Sequence, residues 1–168
     1  LMRADVLANS LDKNIFNKEE PIIYLSPKGK NLNQSYAKKL SNKNINIICG
    51  HFEGVDQRLL ETRNIEEVSI GDYILSGGEI GALVLIDTIV RLIPGVLGNS
   101  NSLMDETFEK NLLEYPQYTK PQKWEKKGVP DVLLTGDHAK IRGWRLSQSE
   151  DITRHRRPDL WEKYKKKK

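Results

Sequence analysis

The sequence predicts an α/β domain with a parallel sheet covered by helices, followed by a small helical, basic domain. Three observations support this fold class. Strand-like and helix-like segments alternate through residues 1–98, which is typical of parallel sheets with crossover helices. Two glycine-punctuated segments each follow a strand-like run. A polar, turn-rich stretch then leads into a C-terminal part of different charge, as a linker between domains would.

The elements of the first domain follow from residue patterns. β-branched and aromatic runs such as IIYLSP, which follows Pro21, indicate strands. Apolar residues at helical spacing indicate helices, and Pro94 stops the last of them. Asp56 stands in the first turn of a helix, where a negative charge suits the helix dipole. The predicted elements are a helix over 2–11, a strand over 22–27, a helix over 33–42, a strand over 45–50, a helix over 55–63, a strand within 66–75 and a helix over 78–92.

The last of these helices is apolar on nearly every face, from Ile80 to Val90. Such a helix is usually buried on more than one side. It could be buried inside one small domain or against a second subunit. Because a domain of this size has little room to enclose it, we expect the helix to form a homodimer interface.

The C-terminal part carries the basic excess of the chain. Residues 1–98 hold 11 Lys and Arg against 12 Asp and Glu, whereas residues 99–168 hold 16 against 11. We therefore predict a first domain over 1–98, a flexible linker over 99–106 and a basic helical domain over 107–168. Arginines interleaved with Trp144 and Trp161 suit phosphate contact and base stacking, although the terminal lysines alone would suit a solvated end.

Several function classes lose support from what the sequence lacks. His51, His138 and His155 have no metal-ligand spacing, and Ser76 is not in a nucleophile elbow. Neither a P-loop nor G-x-G-x-x-G occurs, which disfavours a nucleotide-dependent dehydrogenase. The single cysteine, Cys49, excludes an internal disulfide framework. With no apolar run long enough to span a bilayer, we expect a cytoplasmic protein.

The segment SIGDYILSGGE (69–79) is the best candidate for a ligand site. A strand, a turn and a helix cap would explain it without any ligand. However, its glycines bracket the apolar pair Ile74 and Leu75. Apolar side chains can sandwich a flat heterocycle while backbone groups bind its edge, which is a common way to hold adenine.

Three charged residues near the end of the last helix are further candidates. Arg91 could simply pair with Asp87 four residues earlier, but it stands at the end of an apolar helix, before a proline-glycine turn. Asp105 and Glu106 could be solvated loop carboxylates or a helix cap. A mobile linker is also where a catalytic residue can be brought in when substrate binds.

Six segments together resemble one known family. YLSPKG (24–29), CGHFEGVDQR (49–58), SIGDYILSGGE (69–79), IPGVLG (93–98), LLEYPQYTKP (112–121) and GDHAKIRGWRLSQS (136–149) occur in family order. They are similar to the bacterial tRNA (guanine-N1)-methyltransferase family, TrmD, of the trefoil-knotted (SPOUT) superfamily. The resemblance implies a C-terminal trefoil knot in the α/β domain and a homodimer with active sites at the interface. It also implies methyl transfer from S-adenosyl-L-methionine to N1 of the guanine immediately 3′ of the anticodon when another guanine precedes it, with some help from Mg²⁺.

The resemblance also assigns roles to residues. It implies Arg91 as the arginine that offsets charge on guanine, and a base in a D-S-F motif that reads Asp105-Glu106-Thr107-Phe108 here. Aligning on Phe108 puts Glu106 in the base position, where the family usually has Asp; Asp105 is the alternative. The tRNA would be bound by Asp105 of the linker and by His138, Arg142, Arg145 and Arg154 of the basic domain. The cofactor pocket would comprise Leu25, Ser26, Pro27, Gly50, Phe52, Glu53, Ser69, Ile70, Gly71, Asp72, Tyr73, Ile74, Leu75, Gly77 and Gly78.

The resemblance further implies additional residues before Leu1, including a first strand and a P-Y-G-G-G segment. We therefore expect both domains to be partial and the chain to be N-terminally truncated. The competing hypothesis is a non-catalytic RNA-binding protein that keeps this fold, which would have no need of the methyl donor.

Overall fold

The computed structural model describes residues 1–15, 17–96, 107–108 and 110–167. The chain divides into two compact units, Leu1–Gly98 and Asn99–Lys168. Among the described residues, no helix is both long and apolar enough to cross a membrane.

The first unit confirms the predicted alternation of helices and strands. All three strands are parallel and lie in the order β2-β1-β3, so β1 is central. The elements are α1 (Ala4–Asn14), β1 (Ile22–Asn31), α2 (Gln34–Leu40), β2 (Asn46–Ile48), α3 (Gln57–Thr62), β3 (Glu66–Ser69) and α4 (Gly78–Val90).

Local signals explain where the short helices begin. The side chain of Asn33 accepts a hydrogen bond from the Tyr36 N–H at 3.0 Å, which caps α2. Asp56 caps α3 in the same way by accepting from the Arg58 N–H at 2.9 Å. Asp56 therefore lies just before the helix rather than inside its first turn as predicted.

Helices cover both faces of the sheet. Ile23 and Tyr24 are adjacent in β1, and because successive strand residues point to opposite faces, they belong to different core clusters. One cluster joins the sheet to α2 and α4 through Ala37, Leu40, Val68, Leu85 and Ile89. The other joins it to α3 through Ile48, Leu59, Leu60 and Ile65, with α1 packed against it.

The third strand lies within the predicted range 66–75 and ends at Ser69, after which Gly71, with φ of 150°, takes the chain out of the sheet. The end of the first strand differs from the prediction. The first strand extends to Asn31 because the chain leaves β3 after Leu25 and pairs with it again at Lys30, with both residues opposite Val68. The intervening segment 26–29 therefore bulges at the end of the paired region.

The second unit contains the predicted C-terminal helices and a hairpin that the sequence did not indicate. Glu125 and Lys126 both have positive φ, 45° and 66°, as a two-residue hairpin turn requires. Asp137 caps α5 by accepting from the N–H groups of Ala139 and Lys140. The elements are β4 (Lys123–Trp124), β5 (Lys127–Gly128), a 3-10 helix (Asp131–Leu134), α5 (His138–Arg156) and α6 (Pro158–Lys165).

Thr153 fastens the N-terminal segment of this unit to α5. It is fully buried. Its hydroxyl accepts a hydrogen bond from the Leu113 N–H at 2.8 Å and donates one to the Ser149 carbonyl at 2.6 Å. The hydroxyl thus pairs with a backbone N–H that lies outside any helix or strand and would otherwise lack an acceptor.

Replacing Thr153 with valine should therefore destabilise the second unit. Valine has nearly the same shape but leaves the Leu113 N–H without its acceptor, at a cost of about 1–3 kcal/mol. Urea unfolding followed by tryptophan fluorescence measures this, because Trp124, Trp144 and Trp161 all lie in the second unit. Thr153→Ser keeps the hydroxyl and should cost less. Ser147→Ala, at an exposed position of the same helix, should change stability little, and an equal effect of Thr153→Val and Ser147→Ala would contradict the role.

Candidate functional site

A cavity of about 320 Å³ lies at the carboxyl ends of β2 and β3 and beside the bulge within β1. Its wall is formed by residues 25–28 at that bulge, by 50–55 after β2 and by residues of 69–78 from the end of β3 onward. The carboxyl ends of parallel strands are where α/β proteins bind ligands. The volume falls in the range of roughly 300–1,000 Å³ that is typical of small-molecule sites.

Fourteen of the fifteen residues implied as cofactor-binding line this one cavity. The exception is Asp72, which is not part of its lining. The fourteen are Leu25, Ser26, Pro27, Gly50, Phe52, Glu53, Ser69, Ile70, Gly71, Tyr73, Ile74, Leu75, Gly77 and Gly78. Residues that sequence reasoning missed lie in the same segments and in the strands and helices beside them, among them Lys28, His51 and Ser76.

Glycine is required where the start of α4 meets the segment after β2. The Gly78 N–H donates to the Gly50 carbonyl at 2.9 Å. A Cβ on Gly78 would lie 2.7 Å from the Gly50 nitrogen and 2.8 Å from the Cys49 Cα. Because both neighbours are backbone atoms, they cannot turn aside as a flexible side chain would. The two glycine-rich segments are therefore in direct main-chain contact at the cavity wall.

Large apolar side chains around the cavity are exposed. Phe52 is 86 % exposed and Ile74 is 80 % exposed. Phe52 also has φ of 58°, in the left-handed region that non-glycine residues seldom adopt. Backbone strain of this kind persists where the surrounding structure enforces it and clusters at ligand sites. The arrangement presents apolar surface to a ligand rather than to the protein core.

Hydrogen bonds hold the segment after β3 in shape. The Ser69 hydroxyl donates to the Gly71 carbonyl and accepts from the Gly71 N–H, both at 3.2 Å. The Tyr73 hydroxyl donates to the Ile70 carbonyl at 3.0 Å. These contacts form a compact turn that brings Ile74 and Leu75 to the cavity.

A histidine–carboxylate pair links two of the segments. His51 Nε2 lies 2.5 Å from Glu79 Oε1. The pKa of Glu79 is lowered from its ordinary value, first by its own backbone N–H at the start of α4 and then by the hydrogen bond from His51. Burial raises the pKa of the nearby Cys49 thiol, with Glu79 adding to the rise. The thiol is therefore a poor candidate for a nucleophile.

The candidate catalytic residues are only partly described. Arg91 is half-buried at the C-terminal end of α4, where its N–H donates to the Asp87 carbonyl at 3.3 Å. Glu106 and Asp105 lie outside the described residues, as does most of the linker. Their roles stay predictions. Among the residues that the structure describes, no group of three or more His, Cys, Asp or Glu side chains could hold a metal ion.

The remaining candidates for tRNA contact lie on α5. His138, Arg142 and Arg145 are spaced by four and three residues, so they lie on one face of the helix. Arg154 is sixteen positions after His138 and faces another direction. It pairs with Asp151 at 2.8 Å. The helix thus groups three of these four side chains.

Comparison with known proteins agrees with this architecture. The family model tRNA (Guanine-1)-methyltransferase TrmD matches residues 1–163. The chain belongs to this family.

Three curated relatives have names that correspond to this family. A protein named tRNA (guanine-N(1)-)-methyltransferase from Pelagibacter ubique (strain HTCC1062) is 69 % identical over 168 residues, which cover 99 % of this chain and 73 % of the relative. Proteins of that name from Brucella canis (strain ATCC 23365 / NCTC 10854 / RM-666) and Brucella ovis (strain ATCC 25840 / 63/290 / NCTC 10512) are 53 % identical over 165 residues. These matches cover 98 % of this chain and 67 % and 68 % of the two relatives.

The contact between His51 and Glu79 should make part of the stability of the first unit depend on pH. Because folding lowers the pKa of Glu79, its contribution is complete above the ordinary value of 4.5 and is lost as the pH falls through the lower folded value. Glu79→Gln should therefore lower the melting temperature by a few degrees at most at pH 7, and by less in acid. Circular dichroism melts of both proteins between pH 7 and pH 3 measure the difference.

Asp72→Asn is the matched control, since Asp72 is an exposed carboxyl of the neighbouring segment. The difference between wild type and this variant should stay small at every pH. A difference for Glu79→Gln that does not shrink in acid would contradict the assignment.

Proposed function

We propose that this chain transfers a methyl group from S-adenosyl-L-methionine to N1 of the guanine immediately 3′ of the anticodon in tRNA. The observation that carries the proposal is the cavity at the strand ends, where three separate sequence segments meet in a chain of the tRNA (guanine-1)-methyltransferase family. The proposed preference for another guanine just before the target comes from the same resemblance.

The cavity is chemically suited to the methyl donor. Exposed apolar groups such as Ile74 and Leu75 could enclose the adenine ring, while main-chain groups of the glycine segments bind its edge. Glu53 supplies a carboxylate to the wall, which suits a donor that carries a positive sulfonium. Because Gly78 lies so close to Gly50, main-chain atoms form this part of the wall. When bound, S-adenosylmethionine supplies a methyl group that is already activated for transfer.

The protein must then make guanine N1 nucleophilic. N1 carries a proton at neutral pH, so a base has to remove it, and the negative charge that develops extends to O6. We assign the base role to Glu106, with Asp105 as the alternative, because a positioned carboxylate can accept this proton. We assign Arg91 to offset the charge, since a fixed cation stabilises developing negative charge. Alignment of the two substrates is the remaining requirement.

An apolar face of α4 supports the proposal of a homodimer. Leu85 and Ile89 are buried on one side of the helix, while five apolar residues on the other side are 39–61 % exposed. Apolar patches of this kind on otherwise charged proteins mark contact sites. The exposed residues are Ile80, Leu83, Val84, Ile86 and Val90. The trefoil knot and assistance by Mg²⁺ are further parts of the proposal that come from the family resemblance. A cytoplasmic location, which we expect from the sequence composition, is another part of it.

The catalytic assignment predicts the effect of two substitutions on methyl transfer. Arg91→Ala should lower kcat by roughly 10²–10³-fold, and Glu106→Gln by roughly 10²–10⁴-fold, while adenosylmethionine affinity changes little in both. The measurement is methylation of tRNA transcripts with and without a guanine before the target, with affinity from calorimetry. Glu106→Asp keeps a carboxylate and should retain most activity. Near-normal turnover of Glu106→Gln would move the base role to Asp105 or another group.

The cavity assignment predicts a separate loss of cofactor binding. Gly78→Ala should abolish measurable adenosylmethionine binding by calorimetry, because its Cβ would collide with main chain. Ile74→Ala tests the same wall without disturbing the core, because Ile74 is 80 % exposed, and it should weaken binding severalfold. Gly128→Ala, where a Cβ would meet nothing within 4 Å, is the control. If the unaltered protein binds tRNA but not adenosylmethionine, the non-catalytic RNA-binding alternative replaces this proposal.

A further inference from the structure

The second unit contains a cavity of its own, of about 510 Å³. It lies between the segment after Leu113, the 3-10 helix and the first half of α5. Its walls combine aromatic and aliphatic groups with polar ones. The lining residues include the aromatic, cationic and amide side chains of Tyr115, Tyr118, Lys120, Gln122, Trp144 and Arg145.

Two aromatic side chains give this cavity an accessible stacking surface. The rings of Tyr118 and Trp144 have centroids 6.2 Å apart and planes tilted by 55°. Tyr118 is 47 % exposed, so about half of this aromatic side chain remains accessible at the cavity. Exposed aromatic rings are the surfaces on which unpaired bases of RNA stack.

One hydrogen-bond donor of Arg145 has no acceptor in the described part of the chain. Its guanidinium carbon lies 4.7 Å from the centroid of the Tyr115 ring. Its Nε is buried and has no hydrogen-bond partner among the residues that the structure describes. Arginine can only donate, and buried donors are nearly always paired. The missing partner of this side chain is therefore a hydrogen-bond acceptor.

The charges of the lining residues limit the class of ligand that this cavity can bind. None of the cavity's lining residues is Asp or Glu, and Lys120 and Arg145 are both part of the wall. The unit as a whole carries 16 Lys and Arg against 11 Asp and Glu. A cationic ligand is disfavoured, and an apolar ligand would leave the guanidinium unpaired. A flat ligand that bears hydrogen-bond acceptors and an attached negative charge fits both the aromatic and the cationic side chains of the cavity.

We propose that this cavity binds one unpaired nucleobase of the tRNA, with the base stacked on the exposed Tyr118 ring beside Trp144 and a carbonyl oxygen accepting from Arg145. Lys120 then lies at the cavity to meet the adjoining phosphate. This inference rests on the proposed function for the presence of tRNA, and it adds a base subsite remote in sequence from the methyl-donor cavity. Binding through a base would fix the position of the RNA along the second unit, which phosphate contacts alone do poorly.

The experiment is equilibrium binding of a tRNA transcript to the full chain at several salt concentrations. Tyr118→Ala should weaken binding about tenfold, which is typical for loss of one base stack. Tyr118→Leu keeps apolar volume without a ring and should weaken it similarly, whereas Tyr118→Phe should bind like the wild type. The slope of log affinity against log salt should not change, because no phosphate contact is removed.

Arg142→Ala is the matched control on the same helix. Arg142 is exposed and is not part of the cavity wall. If it contacts phosphate, its loss should weaken binding and reduce the salt slope by about one. Tyr118→Ala should differ from it by leaving the slope unchanged. Melting temperatures of all variants check that the second unit stays folded.

The outcomes separate this inference from the proposed function. If the wild type binds tRNA and Tyr118→Ala binds equally well, or Tyr118→Phe is as weak as Tyr118→Ala, the base subsite is overturned while the proposed function stands. If the wild type binds no tRNA, both are overturned. If tRNA binding follows the expected pattern but no methyl transfer occurs, the subsite stands and the catalytic assignment fails.

Discussion

The main-chain contact between Gly78 and Gly50 is the constraint on which the candidate cofactor site depends. Their hydrogen bond of 2.9 Å joins the first residue of α4 to the segment after β2. This contact holds the end of β2 against the end of the loop that follows β3. No other residue type fits at position 78, because a Cβ there would overlap main-chain atoms. The cavity exists because two strands end in glycine-rich segments that can approach this closely.

A second close approach shapes the remaining wall. Gly29 lies in the bulge of β1, and a Cβ on it would lie 2.3 Å from the Val68 nitrogen. The bulge lets β1 leave β3 after Leu25 and pair with it again at Lys30. The intervening Ser26 and Pro27 are thereby brought to the cavity. Backbone proximity rather than a cluster of charged side chains therefore shapes this site, so that main-chain groups are available to bind the edge of a flat heterocycle.

Much of the fold could be predicted from sequence, because local signals agree with the tertiary structure. The alternation of β-branched runs and helical spacing gave the parallel sheet, and Pro94 marked the end of α4 correctly. The hairpin at 123–128 could not be predicted, since its turn is Glu125-Lys126 rather than the usual Asn-Gly or Asp-Gly. The contact of His51 with Glu79 was equally out of reach, because 28 residues separate them and no pattern pairs a lone histidine with a distant carboxylate.

The length of α4 bears on how the proposed active site would be assembled. Thirteen steps of about 1.5 Å separate Gly78 from Arg91, so the two ends of the helix lie about 20 Å apart. Gly78 lines the cavity, whereas Arg91 lies at the far end of the same helix. In the homodimer that we propose, a two-fold axis perpendicular to α4 and passing through the middle of its exposed face would place two such helices antiparallel. Arg91 of the partner subunit would then lie beside Gly78 of the first. The same apolar face that is left exposed in one chain would thus bring together a cofactor cavity and a cation that a single helix keeps apart.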